Sequence, residues 1–98
     1  MPRASDATLI ENLPNLGPAS AAMLRAVGIR TRADLEQAGA VLAYAAVRDV
    51  HPGVSANLLY ALHGALTGTR WDRLPQSTRV RLRREVEAVR RIDPGPGR

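Results

Sequence analysis

Cysteine, phenylalanine and lysine are all absent from this 98-residue chain, and its aromatic residues are one Trp and two Tyr. Without Cys there is no disulfide framework, no thiolate metal site and no thiol nucleophile, and a cytoplasmic home is the default expectation. The shortage of rings leaves Leu, Ala, Val and Ile to fill the interior. Long apolar runs are missing as well. No stretch approaches the roughly 18–20 residues of a membrane span, and Met1-Pro2-Arg3-Ala4-Ser5-Asp6 lacks the apolar centre of a secretory signal. The length suits one small domain, because a chain of this size buries only roughly 60–65% of its unfolded surface and has no room for a second core.

Net charge is +5, and every one of the 14 basic residues is Arg. Residues 1–69 hold five Arg against five acids, whereas residues 70–98 hold nine Arg against Asp72, Glu85, Glu87 and Asp93. The whole excess therefore lies in the last third. Two readings of that tail stand side by side. One is a phosphate-rich partner. The other is a solvated helix face in a protein from a GC-rich genome, where Arg replaces Lys generally.

Pro, Gly and capping residues cut the chain into short helical segments, and no β-branched alternation asks for a strand. The expectation is an all-α domain of five to six short helices over residues 1–92, followed by a disordered tail at 93–98. A first helix over residues 6–12 follows a Ser5 cap. Gly17-Pro18 opens a second, Gly28 closes it, and Ala22, Met23, Ala26 and Val27 share one of its faces. Thr31-Arg32-Ala33-Asp34 starts a third that ends at Gly39. A fourth covers residues 40–50, where Val47 stacks on Tyr44 or Ala43, and His51-Pro52-Gly53 breaks it. Ser55 caps a fifth, which runs through Leu58, Leu59, Leu62 and Leu66 to Gly68 and is the candidate central helix. Leu74-Pro75 opens the last, with Leu82, Val86 and Val89 as its apolar stripe. The core is expected to include Leu13, Leu16, Leu24, Leu35, Leu58, Leu59, Leu62 and Val86.

An internal echo accompanies this order. A shift of 38 residues lays residues 13–35 on residues 51–73, and five of the 23 aligned pairs coincide: Pro, Leu, Thr, Arg and Asp. A structural repeat of this kind would mean tandem helix-turn-helix units about a pseudo-two-fold axis.

Catalytic patterns are scarce. His51 and His63 are twelve apart with no acid beside either, which is no metal-ligand spacing. Ser5, Ser20, Ser55 and Ser77 stand where caps and turns explain them, no Gly-rich phosphate loop is present, and Glu85 and Glu87 point apart on a helix. No enzyme and no cofactor are expected. The run Ile10-Glu11-Asn12-Leu13-Pro14-Asn15-Leu16-Gly17-Pro18-Ala19-Ser20-Ala21-Ala22-Met23-Leu24, followed by Gly28-Ile29, resembles a helix-hairpin-helix. In that motif a Leu-Pro-Gly-hydrophobic-Gly turn joins two helices, and free N–H groups at the second helix can accept a backbone phosphate. Asn15 replaces the motif's first Gly, and Ala19 stands where Lys or Arg is frequent. The same hairpin also reads as a packing device that puts Leu13 and Leu16 in the core.

Leu13-Pro14-Asn15-Leu16-Gly17-Pro18, Pro52-Gly53-Val54-Ser55, Asn57-Leu58-Leu59-Tyr60-Ala61-Leu62, Gly64-Ala65, Gly68, Trp71 and Leu74-Pro75 occur in one order. Together they resemble the C-terminal domain of the TfoX/Sxy competence regulators, over about residues 9–82. The resemblance implies a compact bacterial, cytoplasmic domain of helix-hairpin-helix type, associated with DNA transformation competence and transcription regulation. In those regulators an α/β domain precedes this one, and an acidic residue is common where His63 stands here.

Two functions follow as expectations. The first is a non-catalytic regulatory module with weak, sequence-tolerant DNA binding. Its candidate residues are the turn donors Leu16, Gly17 and Ala19, aided by Arg30 and Arg32, and the last helix's Arg79, Arg83, Arg84 and Arg90. Arg81–Glu85 and Glu87–Arg91 pairs would neutralise the remaining charges of that helix. The second is a protein-interaction module that uses the hairpin only as scaffold, with a transcription-related protein as its partner.

Overall fold

A computed structural model describes residues 8–92, with side chains through Val89. Four α-helices, α1 (Pro18–Ala26), α2 (Arg32–Val50), α3 (Ala56–Thr67) and α4 (Gln76–Ile92), are joined by loops that hold two short 3-10 turns, Ile10–Asn12 and Trp71–Arg73. The domain is all-α, and no strand occurs among the described residues beyond a single antiparallel bridge between Leu9 and Thr31.

Four helices replace the five or six expected, for two reasons. The described part of the expected first helix is only a 3-10 turn. Before it the chain is extended, and Thr8 O and Ile10 N–H bond to Arg32 N–H and Arg30 O. Ser5 and residues 93–98 lie outside the described residues. The expected third and fourth helices run on as α2, although Gly39 keeps a non-helical backbone at φ 81°, where a residue without Cβ is at ease. A kink therefore stands where a stop was expected.

Capping chemistry sets the starts. Thr31 Oγ1 accepts from Asp34 N–H while the Asp34 carboxylate accepts from Thr31 N–H, a reciprocal box that fixes the entry to α2. Ser55 Oγ accepts from Asn57 N–H at 2.9 Å and caps α3. α1 starts on Gly17 with no side-chain cap and carries Pro18 in its first turn.

The α2–α3 pair forms the centre, α4 lies across both, and α1 with the Ile10–Asn12 turn packs on the beginning of α2. All eight expected core residues are buried, with Leu24, Leu35 and Leu62 fully enclosed. Ala43, Tyr44 and Val47 of α2 join them, as does Leu82 of α4. On α1 the expected face is off by about one residue. Ala21 and Leu24 are buried, whereas Ala22 and Ala26 are exposed. With so many Ala around a nine-residue helix, the one Leu decides which side turns inward.

Candidate functional site at the first turn

The loop between the Ile10–Asn12 turn and α1 folds back on a Leu16 N–H to Leu13 O bond of 3.3 Å, with both Leu side chains in the core. Asn15 occupies the left-handed region at φ 72°, which Asn tolerates better than other residues with a Cβ. Its side chain bonds to a segment far away in the sequence. Nδ2 donates to Thr69 O at 2.9 Å, and Oδ1 accepts from Trp71 N–H at 3.4 Å. Gly64 makes room for this lock, since a Cβ there would collide with Thr69 O and with Asn15 Nδ2.

These contacts change the list of candidate donors. Leu16 is buried and its N–H is used inside the turn, so it is not a free donor. Gly17 and Ala19 are exposed at the start of α1, and their N–H groups have no partner among the described residues. Arg30 is exposed. Its backbone N–H donates to Asp34 Oδ2 at 2.9 Å, and this bond holds the Asp34 carboxyl below the usual carboxylate range. Arg32 is tied down, with Nε on Glu36 Oε2 at 2.9 Å and Nη1 on Ala65 O at 3.4 Å.

The second candidate surface is also reduced. Arg79 is not a free charge: its guanidinium lies 5.2 Å over the Tyr60 ring and donates to Trp71 O at 3.3 Å. Glu87 reaches across to Arg48 on α2 at 3.7 Å, and no Arg81–Glu85 bridge forms among the described residues. Arg83 and Arg84 remain exposed on α4. The Arg90 and Arg91 side chains lie outside the description. α1 packs on α2 and the preceding turn, whereas α4 packs on α2 and α3, so the two candidate surfaces stand on helices without substantial contact with each other.

His63 is half-buried on α3. Burial first, and the neighbouring Arg81 second, push its imidazole below the ordinary value. His51 is exposed at the end of α2. No His, Cys, Asp and Glu cluster among the described residues could hold a metal.

Between the first turn and the one after α2 lies an open groove of about 330 Å³, with Asn15, Ser20 and Asn57 on its polar rim and Met23, Val54 and Trp71 among its apolar lining. The sequence did not announce this groove, because its walls come from three separate segments. The Asn15 lock was also missed. In sequence Asn15 is only a departure from the motif's first Gly, and the distant Thr69 and Trp71 backbone shows what its amide holds.

The architecture defines the class as a small all-α domain whose helix-connecting turns are pinned to the core. A family model described as the TfoX C-terminal domain matches residues 6–86. The chain belongs to that family. Two crystal structures of proteins from Listeria monocytogenes are similar to it. One, a triclinic form of a protein described as uncharacterized, shares 28% identity with a TM-score of 0.76 and covers 85% of this chain and 94% of its own. The other, a tetragonal form of a protein described as of unknown function, shares 29% identity with a TM-score of 0.74 and covers 82% of this chain and 99% of its own. No curated protein matches.

Proposed function

We propose that this chain is a non-catalytic regulatory module in DNA transformation competence or transcription control, that it works in the cytoplasm by protein contact, and that its helix-hairpin-helix serves as scaffold. One observation carries the reading. The first turn spends its distinctive residue inward, with Asn15 bonded to Thr69 and Trp71 backbone and Leu13 and Leu16 in the core. A turn that grips phosphate offers several outward backbone N–H groups, and here Leu16 N–H is used inside the turn, which leaves Gly17 and Ala19 alone outward.

The second reading is weak DNA binding through phosphate. It is supported by the uncapped start of α1 at Gly17 and Ala19 and by the exposed Arg30, Arg83 and Arg84. Scattered free guanidinium groups of this kind give only sequence-tolerant affinity, no tighter than about 10⁻⁶ M at physiological salt. Anisotropy of a labelled duplex at low and moderate salt separates the two. Protein contact predicts no saturable binding even at low salt. Saturable binding that falls with a log–log slope of about −0.9 per phosphate, and weakens in a triple Ala variant of Arg30, Arg83 and Arg84, would install the DNA reading instead.

A further inference from the structure

After the kink at Gly39, residues 40–50 of α2 form about three turns of helix whose apolar residues extend well beyond the face turned to the core. Ala40, Ala43, Tyr44 and Val47 face the core. At 100° per residue, Leu42, Ala46 and Val50 form a second stripe centred roughly 110° around the helix from the core-facing set, and Leu42 and Val50 are 53% and 57% exposed. Between Glu36 and Arg48 the sequence has no charged residue. A helix face that carries large apolar side chains is normally covered, and this stripe is left open.

We propose that the outer face of α2 is where a second copy of this chain docks, the two α2 helices crossing antiparallel with Ala46 at the crossing point. This deepens the protein-contact reading and rests on it. Three features make the face complementary to itself. Ala46 lets the helix axes approach to roughly 8 Å. The two-fold relation then sets Leu42 of each copy against Val50 of the other, so both exposed large side chains are buried twice. Asp49, the face's one acid, lies in the last turn of its own helix, where the dipole is unfavourable to a carboxylate. Antiparallel pairing brings it level with the first turn after Gly39 of the second copy, where the dipole favours it. A contact of this length buries on the order of 1,000 Å² in total, at the low end of specific interfaces, so the dissociation constant falls between about 10 µM and 1 mM.

Sedimentation of the full chain from about 10 µM to 1 mM tests this. Wild type is expected to rise from the monomer mass towards twice that mass. L42E and V50K, both at exposed positions, are each expected to stay monomeric with unchanged helical content and thermal midpoint. An equimolar mixture of the two should associate again, because one Leu42–Val50 contact survives and the other becomes a carboxylate–ammonium pair. A monomeric wild type at every concentration overturns the proposal and leaves the face to residues 1–7 or to a different protein; the duplex titration still judges the protein-contact reading by itself. Variants that dimerise like wild type, or a mixture that stays monomeric while wild type dimerises, overturn the antiparallel pairing.

Discussion

The turn before α1 and the turn before α3 occupy equivalent places in the 38-residue echo, yet they solve the same problem with different chemistry. Both close on the same hydrogen bond, Leu16 N–H to Leu13 O in one and Val54 N–H to His51 O in the other. Both lead into helices that bury Leu24 and Leu62 completely. Both of those helices end with a left-handed Gly, Gly28 and Gly68, and with a bond from the next residue back five positions, Ile29 to Leu24 and Thr69 to Gly64. The register has drifted from 38 to 40 at those ends, because α3 is longer than α1. The starts differ. Asn15 has positive φ and a side chain locked to a distant loop, whereas Gly53 lacks positive φ. α1 begins uncapped on Gly17, whereas Ser55 caps α3. One turn is a long-range clasp and the other a local stop, so a shared ladder of backbone bonds does not imply a shared role.

The largest effects should fall where the two units agree. Leu24→Ala and Leu62→Ala each remove a fully buried side chain, and each should cost about 2–5 kcal/mol in urea unfolding. A loss below about 1 kcal/mol at either position would show that its unit contributes little to the common core. Gly64→Ala comes next, since its Cβ meets the Thr69 carbonyl and the Asn15 amide. A cost of about 1–3 kcal/mol is expected. In an Asn15→Gly background, where one of those neighbours is gone, the further cost should shrink. An unchanged increment would mean that the clasp and the close approach are independent.

Much of this fold was legible from periodicity and punctuation. The Leu positions found the core, Thr31 and Asp34 announced their box, and Gly68 marked the end of α3. What escaped depended on partners remote in the chain. The amide of Asn15 meets backbone 54 and 56 residues away, and Arg79 stacks on Tyr60 across two helices. An Arg on a helix looks the same in sequence whether it is solvated or lies on a ring. Ala-rich helices are the other blind spot. α1 gave no strong stripe, and the apolar residues of α2 extended well beyond one face, so helical spacing alone could not choose the inward face.

The turns themselves separate most clearly by substitution. Asn15→Ala loses the clasp and keeps a Cβ at positive φ, so it should cost about 2–3 kcal/mol. Asn15→Gly relieves the backbone and should cost only about 1 kcal/mol. Gly53→Ala, at the equivalent place, should be neutral or stabilising by up to about 1 kcal/mol, because its backbone is not left-handed and nothing lies within 4 Å of the added Cβ. Comparable losses at residues 15 and 53 would abolish the distinction between clasp and stop.

The smallest effects lie in the caps, and they should run in opposite directions. Ser55→Gly removes the oxygen that accepts from Asn57 N–H but keeps a residue type accepted at a helix start, so it should cost only a few tenths of a kcal/mol, whereas Ser55→Ala should cost about 1 kcal/mol. Gly17→Ser supplies the cap that α1 lacks. Its φ of −100° is open to any residue, and nothing stands within 4 Å of the new Cβ, so a gain of a few tenths of a kcal/mol is expected. The same substitution occupies donors that the phosphate reading requires to be free. Weaker duplex binding in Gly17→Ser, alongside slightly higher stability, would therefore show that the missing cap serves a ligand, and a gain in stability with no change in binding would show that the first turn tolerates an open helix end because the Asn15 clasp already holds it.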